Sequence, residues 1–179
     1  MFFIKTLLII LAAVITLGIV LTESNEDQLV IPDNSLRLRI IPSSNSSEDV
    51  EIKLIIKEII EEAIQRLLNN VWTLEESKQI IEKNIENLDN KISEVLNPLN
   101  KRYHINFGQN HFPSKVFRGV FYKAGEYDSL VITIEDGDGD NWWCVLFPPL
   151  CSLEKNDNLG EIEYQLFVSR IINQFRQYT

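Results

Sequence analysis

An α+β domain is what the sequence predicts, and three observations carry that prediction. Two segments between residues 48 and 99 repeat Ile and Leu at helical spacing. From Tyr103 the period falls to two and stays there through Phe147. One strand-like alternation precedes the helices and one amphipathic segment follows the last strand. Helical and strand-rich parts are thus segregated along the chain, where a parallel α/β fold would alternate them. The expected order is an N-terminal strand, two packed amphipathic helices, an antiparallel β-meander and a C-terminal helix.

The first strand is Leu36–Ile41, in which Leu and Ile alternate with Arg37 and Arg39. That puts both guanidinium groups on one face of a half-buried strand. They suit a carboxylate or the acidic patch of a partner, and the same alternation also marks a solvated face. Ser43–Ser47 is a turn that supplies an N-cap for a helix from about Glu48. Ile52, Ile55, Ile56, Ile59, Ile60, Ala63, Ile64, Leu67 and Leu68 form its apolar stripe, and Asn69-Asn70 stops it. Thr73-Leu74-Glu75-Glu76 is a capping box for a second helix, with Ile81, Ile85, Leu88, Ile92, Val95 and Leu99 inward. Asn87-Leu88-Asp89-Asn90 is poor helix-forming sequence and is the expected place for any break.

Tyr103–Phe107, Lys115–Lys123 and Ser129–Glu135 read as consecutive strands, with a turn at Ala124–Tyr127. Asp136-Gly137-Asp138-Gly139-Asp140 follows as an acidic glycine turn leading into Trp142–Phe147. Pro148-Pro149 ends that strand because neither proline donates to a ladder. The loop Lys155–Gly160 leads to a last helix with Ile162, Leu166, Phe167, Ile171 and Phe175 on its apolar face.

Bulk properties narrow the function. The 179 residues suit one domain with a core of its own. A hydrophobic fraction of 45% with 24% charged residues excludes wholesale disorder. A net charge of −9 argues against nucleic-acid binding, which needs clustered Lys and Arg. Lys5 followed by an uncharged run from Thr6 to Leu21 reads as a signal peptide or N-terminal membrane anchor over residues 1–22. A polar linker, 23–30, then joins a single exported domain, 31–179, and the flanking charges place the N-terminus inside.

Candidate sites concentrate after the acidic turn. An EF-hand starting at Asp136 needs Gly at its sixth position and Glu at its twelfth; Asn141 and Phe147 stand there, and no metal is expected. Cys144 and Cys151, with six residues between them in an exported chain, are disulfide candidates, with two buried free thiols as the other reading. Trp142 and Trp143 point to opposite faces of a regular strand. One fills the core; the other is either a binding anchor beside Phe147 and Pro148 or is covered by a helix. His104 and His111 have no evident catalytic partners, and no hydrolase or phosphate-loop motif occurs. An enzyme is not expected and no cofactor is implied.

The block Asn141-Trp142-Trp143-Cys144-Val145-Leu146-Phe147-Pro148-Pro149-Leu150-Cys151 resembles the signature of the stage II sporulation protein R family. Leu36-Arg37-Leu38-Arg39-Ile40-Ile41 resembles that family's arginine strand. Phe112-Pro113-Ser114-Lys115-Val116, with Ala124-Gly125-Glu126-Tyr127, resembles its central segment. The resemblance implies a secreted signalling protein made in the forespore of an endospore-forming bacterium. It implies export to the space between the forespore and mother-cell membranes. The implied partner is a membrane-embedded protease of the aspartic type, met on its extracytoplasmic face, which processes the precursor of the early mother-cell sigma factor. Trp142, Trp143, Phe147, Pro148, Arg37 and Arg39 are the expected contact residues. An extracytoplasmic cell-wall or small-ligand binding module is the alternative, and a hydrolase pairing Glu126 with an Asp of the acidic turn is the enzymatic one.

Overall fold

The computed structural model of the protein describes residues 29–151 and 160–176. The expected export segment, most of the linker and most of the Lys155–Gly160 loop lie outside the described residues. Among the described residues no helix is long and apolar enough to cross a membrane.

The chain runs β1 (Leu36–Ile41), α1 (Ser47–Leu67), α2 (Leu74–Lys83), α3 (Ile85–Leu96), and a 3-10 turn Asn97–Leu99. It continues β2 (Tyr103–Phe112), β3 (Lys115–Phe117), β4 (Val120–Tyr122), β5 (Gly125–Ile134), β6 (Trp142–Phe147) and α4 (Glu161–Phe175). The class is α+β, with a strand, helices, a sheet of mainly antiparallel pairs and a C-terminal helix.

Local chemistry fixes the helix starts. The Ser46 hydroxyl accepts from the Asp49 amide at 3.2 Å and opens α1; the Thr73 hydroxyl accepts from the Glu76 amide at 3.2 Å and opens α2. The second predicted helix is in fact two. Its break falls at Asn84, ahead of the Asn87–Asn90 stretch, because the Asn84 side-chain amide donates to the Ile80 carbonyl at 2.8 Å. Asn87–Asn90 stays helical since Leu88 within it and Ile92 just after it are wholly buried.

The sheet order is β2-β5-β1-β6, with β1 parallel to β5 and antiparallel to β6. The acidic turn therefore does not pair the strands it joins. It crosses the end of β1 and docks on the turn after it, through Asp138 N to Ser43 O (3.2 Å), Gly139 N to Pro42 O (3.1 Å) and Asp140 N to Asn45 Oδ1 (2.7 Å). A Cβ on Gly139 would stand 2.5 Å from the Ser44 carbonyl, so only glycine permits this approach.

The expected strand Lys115–Lys123 folds back on itself as the β3–β4 hairpin. Arg118 and Gly119 both have positive φ (47° and 74°), the geometry of a two-residue hairpin turn that matches strand twist. The expected turn at Ala124–Tyr127 is shorter, since β5 already starts at Gly125, and β2 extends to Phe112 to pair with it.

Two layers cover the sheet. Leu36, Leu38, Ile40, Leu130, Ile132, Ile134 and Cys144 pack against Ile52, Ile56, Ile60, Ile81, Leu88 and Ile92 of α1–α3. On the other face Val145 packs with Val120 and Tyr122 of the hairpin and with Tyr164, Val168 and Ile172 of α4. The buried side of α4 is thus Tyr164, Val168, Ile172 and Phe175, while Ile162 and Leu166 face outward, 74% and 62% exposed. Likewise Ile55, expected inward on α1, is exposed.

Candidate functional site: a groove at the edge of the sheet

β6 is an edge strand, and its alternation sends its two tryptophans to opposite faces. Trp142 pairs with Ile40 and lies under α1, where Lys57 Nζ sits 5.0 Å from the ring centroid. Trp143 pairs with Arg39 and meets Phe112 edge-on at 5.5 Å, with Lys115 Nζ 5.2 Å from its ring. Its indole Nε1 has no hydrogen-bond partner. Between α1, the start of β6 and the β3–β4 hairpin lies a groove of about 380 Å³, lined by both tryptophans, Lys57, Lys115, Arg118 and Leu54 among others.

None of the other expected contact residues lines this groove, and Phe147 and Pro148, at the far end of β6, line a separate cavity with Ile31 and Phe175. Arg37 is only 2% exposed. Its guanidinium carbon lies 3.3 Å from the centroid of the Tyr127 ring and 5.4 Å from that of Phe112, its Nε donates to Ser35 Oγ at 3.2 Å, and its two terminal nitrogens have no hydrogen-bond partner. Burial lowers its pKa, opposed by the Tyr127 side chain. Arg39 is half-buried, 4.8 Å from the Phe112 ring centroid, and donates to the His111 carbonyl at 3.3 Å. Its pKa is lowered by burial as well. The alternation that suggested a solvated arginine face instead packs two guanidinium groups against aromatic rings.

A bulge explains Phe147. Register slips between Leu36 and Arg37, whose partners are Phe147 and Val145, so Leu146 is the extra residue. Phe147 then turns inward, is 2% exposed, and meets Phe175 edge-on at 5.1 Å. The Phe147–Pro148 bond is cis; Pro148 is buried and Pro149 exposed. Cys144 and Cys151 are joined as a disulfide with Cα atoms 5.3 Å apart, tying β6 to the proline turn. Among the described residues the nearest approach to a metal-binding cluster is Glu61 with these two cysteines, but bonded sulfurs are not thiolate ligands.

Other candidates separate. His111 Nδ1 lies 3.1 Å from Glu126 Oε1 across the β2–β5 pair, both exposed. Glu126 stands near one end of β5 and the acidic turn follows the other, about 30 Å away at strand rise. They line no common cleft, so the hydrolase reading fails on geometry. Sequence reasoning missed Lys57 and Leu54, which look like ordinary members of a long helix. Only the hairpin and the edge strand opposite give them a role.

The family model described as "Stage II sporulation protein R" matches residues 32–157. The chain belongs to the stage II sporulation protein R family. The protein of that name from Bacillus subtilis (strain 168) is 34% identical over 134 residues, which are 74% of this chain and 60% of the relative. The match thus spans less than two thirds of the relative's length. No solved structure matches the chain. The family match takes in β1 through β6 and every groove residue named above, while α4, from Glu161, lies beyond it.

Proposed function

We propose that this sporulation-family protein is an intercellular signal that acts by binding. On this reading it is made in the forespore and exported to the space between the two membranes. There it engages the extracytoplasmic face of a membrane-embedded aspartic-type protease of the mother cell, which then processes the early mother-cell sigma-factor precursor. The family match over residues 32–157 carries the reading. The geometry supports it through one feature, a tryptophan-walled groove on a sheet edge, suited to a protein partner.

Activation by binding has a thermodynamic requirement. The signal must bind the active arrangement of the protease more tightly than the resting one, since equal affinity shifts nothing. Trp142 and Trp143 are the proposed direct contacts, with Arg39 at the groove's rear. Arg37 along the strand, and Phe147 and Pro148 at its far end, hold β6 in position. Reconstitution in a non-sporulating host that expresses the exported domain, the protease and the precursor tests the reading directly. Precursor cleavage on a gel should require this protein and disappear with Trp142→Ala plus Trp143→Ala, while export and fold persist. A double variant that is exported, folded and fully active would refute the contact assignment. No cleavage with the folded native chain would favour a cell-wall binding module, tested by sedimentation with peptidoglycan.

A further inference from the structure

We propose that the groove at the start of β6 receives an extended acidic peptide segment of the partner protein. This rests on the binding reading above and adds the chemistry that the groove selects. The chain carries 26 acidic against 17 basic residues, yet Lys57, Lys115 and Arg118 line the groove and no Asp or Glu does. A local positive field inside an acidic protein is a selective feature, because the average surface repels the same ligand.

Lys115, on the hairpin, is placed to meet a ligand. Lys115 is exposed, and its ammonium contacts are the faces of Phe117 (5.4 Å) and Trp143 (5.2 Å). A ring face orients an ammonium without neutralising it. Lys57 lies over Trp142 and shares its charge with Glu61 in a long ion pair at 3.9 Å, so it adds to the field of Lys115 from the opposite side of the groove. The rings form flat walls, and Leu54, 49% exposed, adds an apolar contact.

The strand edge selects an extended ligand. β6 pairs with β1 on one side only, and no other named strand pairs with it. Its first two residues, Trp142 and Trp143, line the groove with Asn141 just before them, so a segment laid along them meets backbone groups, two indoles and cations together. About 380 Å³ accommodates a few side chains, and it is a concave slot where a lipid surface would need a broad basic face. The net charge of −9 opposes approach to anionic membranes and nucleic acids as a whole.

The test uses the exported domain carrying Trp72→Phe, so that fluorescence reports only Trp142 and Trp143. The probes are a nine-residue peptide alternating Glu with Thr, the same peptide with Gln or Lys in place of Glu, and phosphatidylglycerol vesicles. The Glu peptide should change the emission saturably. Its affinity should fall about tenfold in high salt and by at least about tenfold in Lys57→Glu plus Lys115→Glu. Arg66→Glu plus Lys83→Glu, which makes the same change of charge at exposed sites elsewhere, should leave it unchanged. Circular dichroism of each variant confirms the fold. Failure of the Glu peptide to bind, equal binding of the Gln or Lys peptide, insensitivity to the groove variants, or binding of vesicles alone overturns the proposal. The same groove variants go into the processing assay, where loss of cleavage supports the proposal and full cleavage overturns it. If the Glu peptide binds as described while the native chain elicits no cleavage, the protease reading fails and the groove chemistry stands.

Discussion

One face of the four-stranded sheet is mainly aliphatic, and the other sets one buried and one half-buried cation among rings beside a smaller apolar cluster. Beneath α1–α3, Leu36, Leu38, Ile40, Leu130 and Ile132 meet isoleucines and leucines, and the contact is stabilised by apolar area alone. Opposite, β1 offers Arg37 and Arg39 to Phe112 and Tyr127, and Phe112 in turn meets Trp143 edge-on. Area is non-directional, so the first face accepts any close-packed set of similar volume. The second is directional, since a buried guanidinium is tolerable only while the rings stay in place. Positional demands therefore fall on the face that ends at the groove. Rigidity at the groove follows from chemistry that permits one arrangement.

Substitutions on the two faces test that contrast. The largest effect belongs to Tyr127→Ala, which removes the ring under Arg37 and leaves its charge buried; it should cost about 3–5 kcal/mol in denaturant titration. Adding Arg37→Met to that variant should restore part of the loss by removing the stranded charge. A double variant no more stable than Tyr127→Ala would show that the guanidinium does not depend on the ring. Ile92→Ala on the aliphatic face should cost about 2–5 kcal/mol, whereas Ile92→Leu should cost under about 1.5. Equal losses would mean that this face too is shape-specific.

Two smaller effects lie at the margins of the sheet. Replacing Cys144 and Cys151 together with Ala opens a short loop and should cost about 2 kcal/mol. An equal midpoint for the native chain with and without reductant would contradict a stabilising disulfide. Asp49, at the start of α1, accepts from Lys101 at 2.7 Å and from Ser44 at 2.6 Å. The Lys101 bond foremost, then those of Ser44 and Ser46, hold its carboxyl below its ordinary 3.8. Its contribution is therefore fully present above that pH and is lost as pH falls through the depressed value. Asp49→Asn should flatten stability against pH in the acid range below about 4, with little change between pH 6 and 8. An unchanged acid limb would remove the pair from the account.

Much of this arrangement was legible in short windows of sequence. Ser46 and Thr73 cap their helices through bonds to residues three positions on, and the proline pair ends β6 by lacking donors. The tryptophan pair marked the groove for the same reason, since strand alternation is a local rule. What was hidden depends on partners remote in the chain. No period announces that β1 inserts between β5 and β6. The last helix carries two apolar stripes, and only the sheet decides that Tyr164, Val168 and Ile172 turn inward while Ile162 and Leu166 do not. Arg118 gave no sign that it adopts a left-handed turn beside Gly119. Lys57 reads as one more solvated lysine until β6 and the hairpin are placed opposite it.

The position of β1 also governs when the molecule can assemble. This strand leaves the ribosome first, yet its neighbours are Ser129–Thr133 and Trp142–Phe147, about ninety residues and more downstream. The helices between them can form early, but the sheet has no centre until nearly all of the domain has been made. A truncated chain ending before β6 leaves Arg37 and Arg39 without Val145 and Trp143 alongside, and lacks both tryptophans of the groove. The groove is therefore a late product of synthesis, and its presence marks a chain made at least as far as β6.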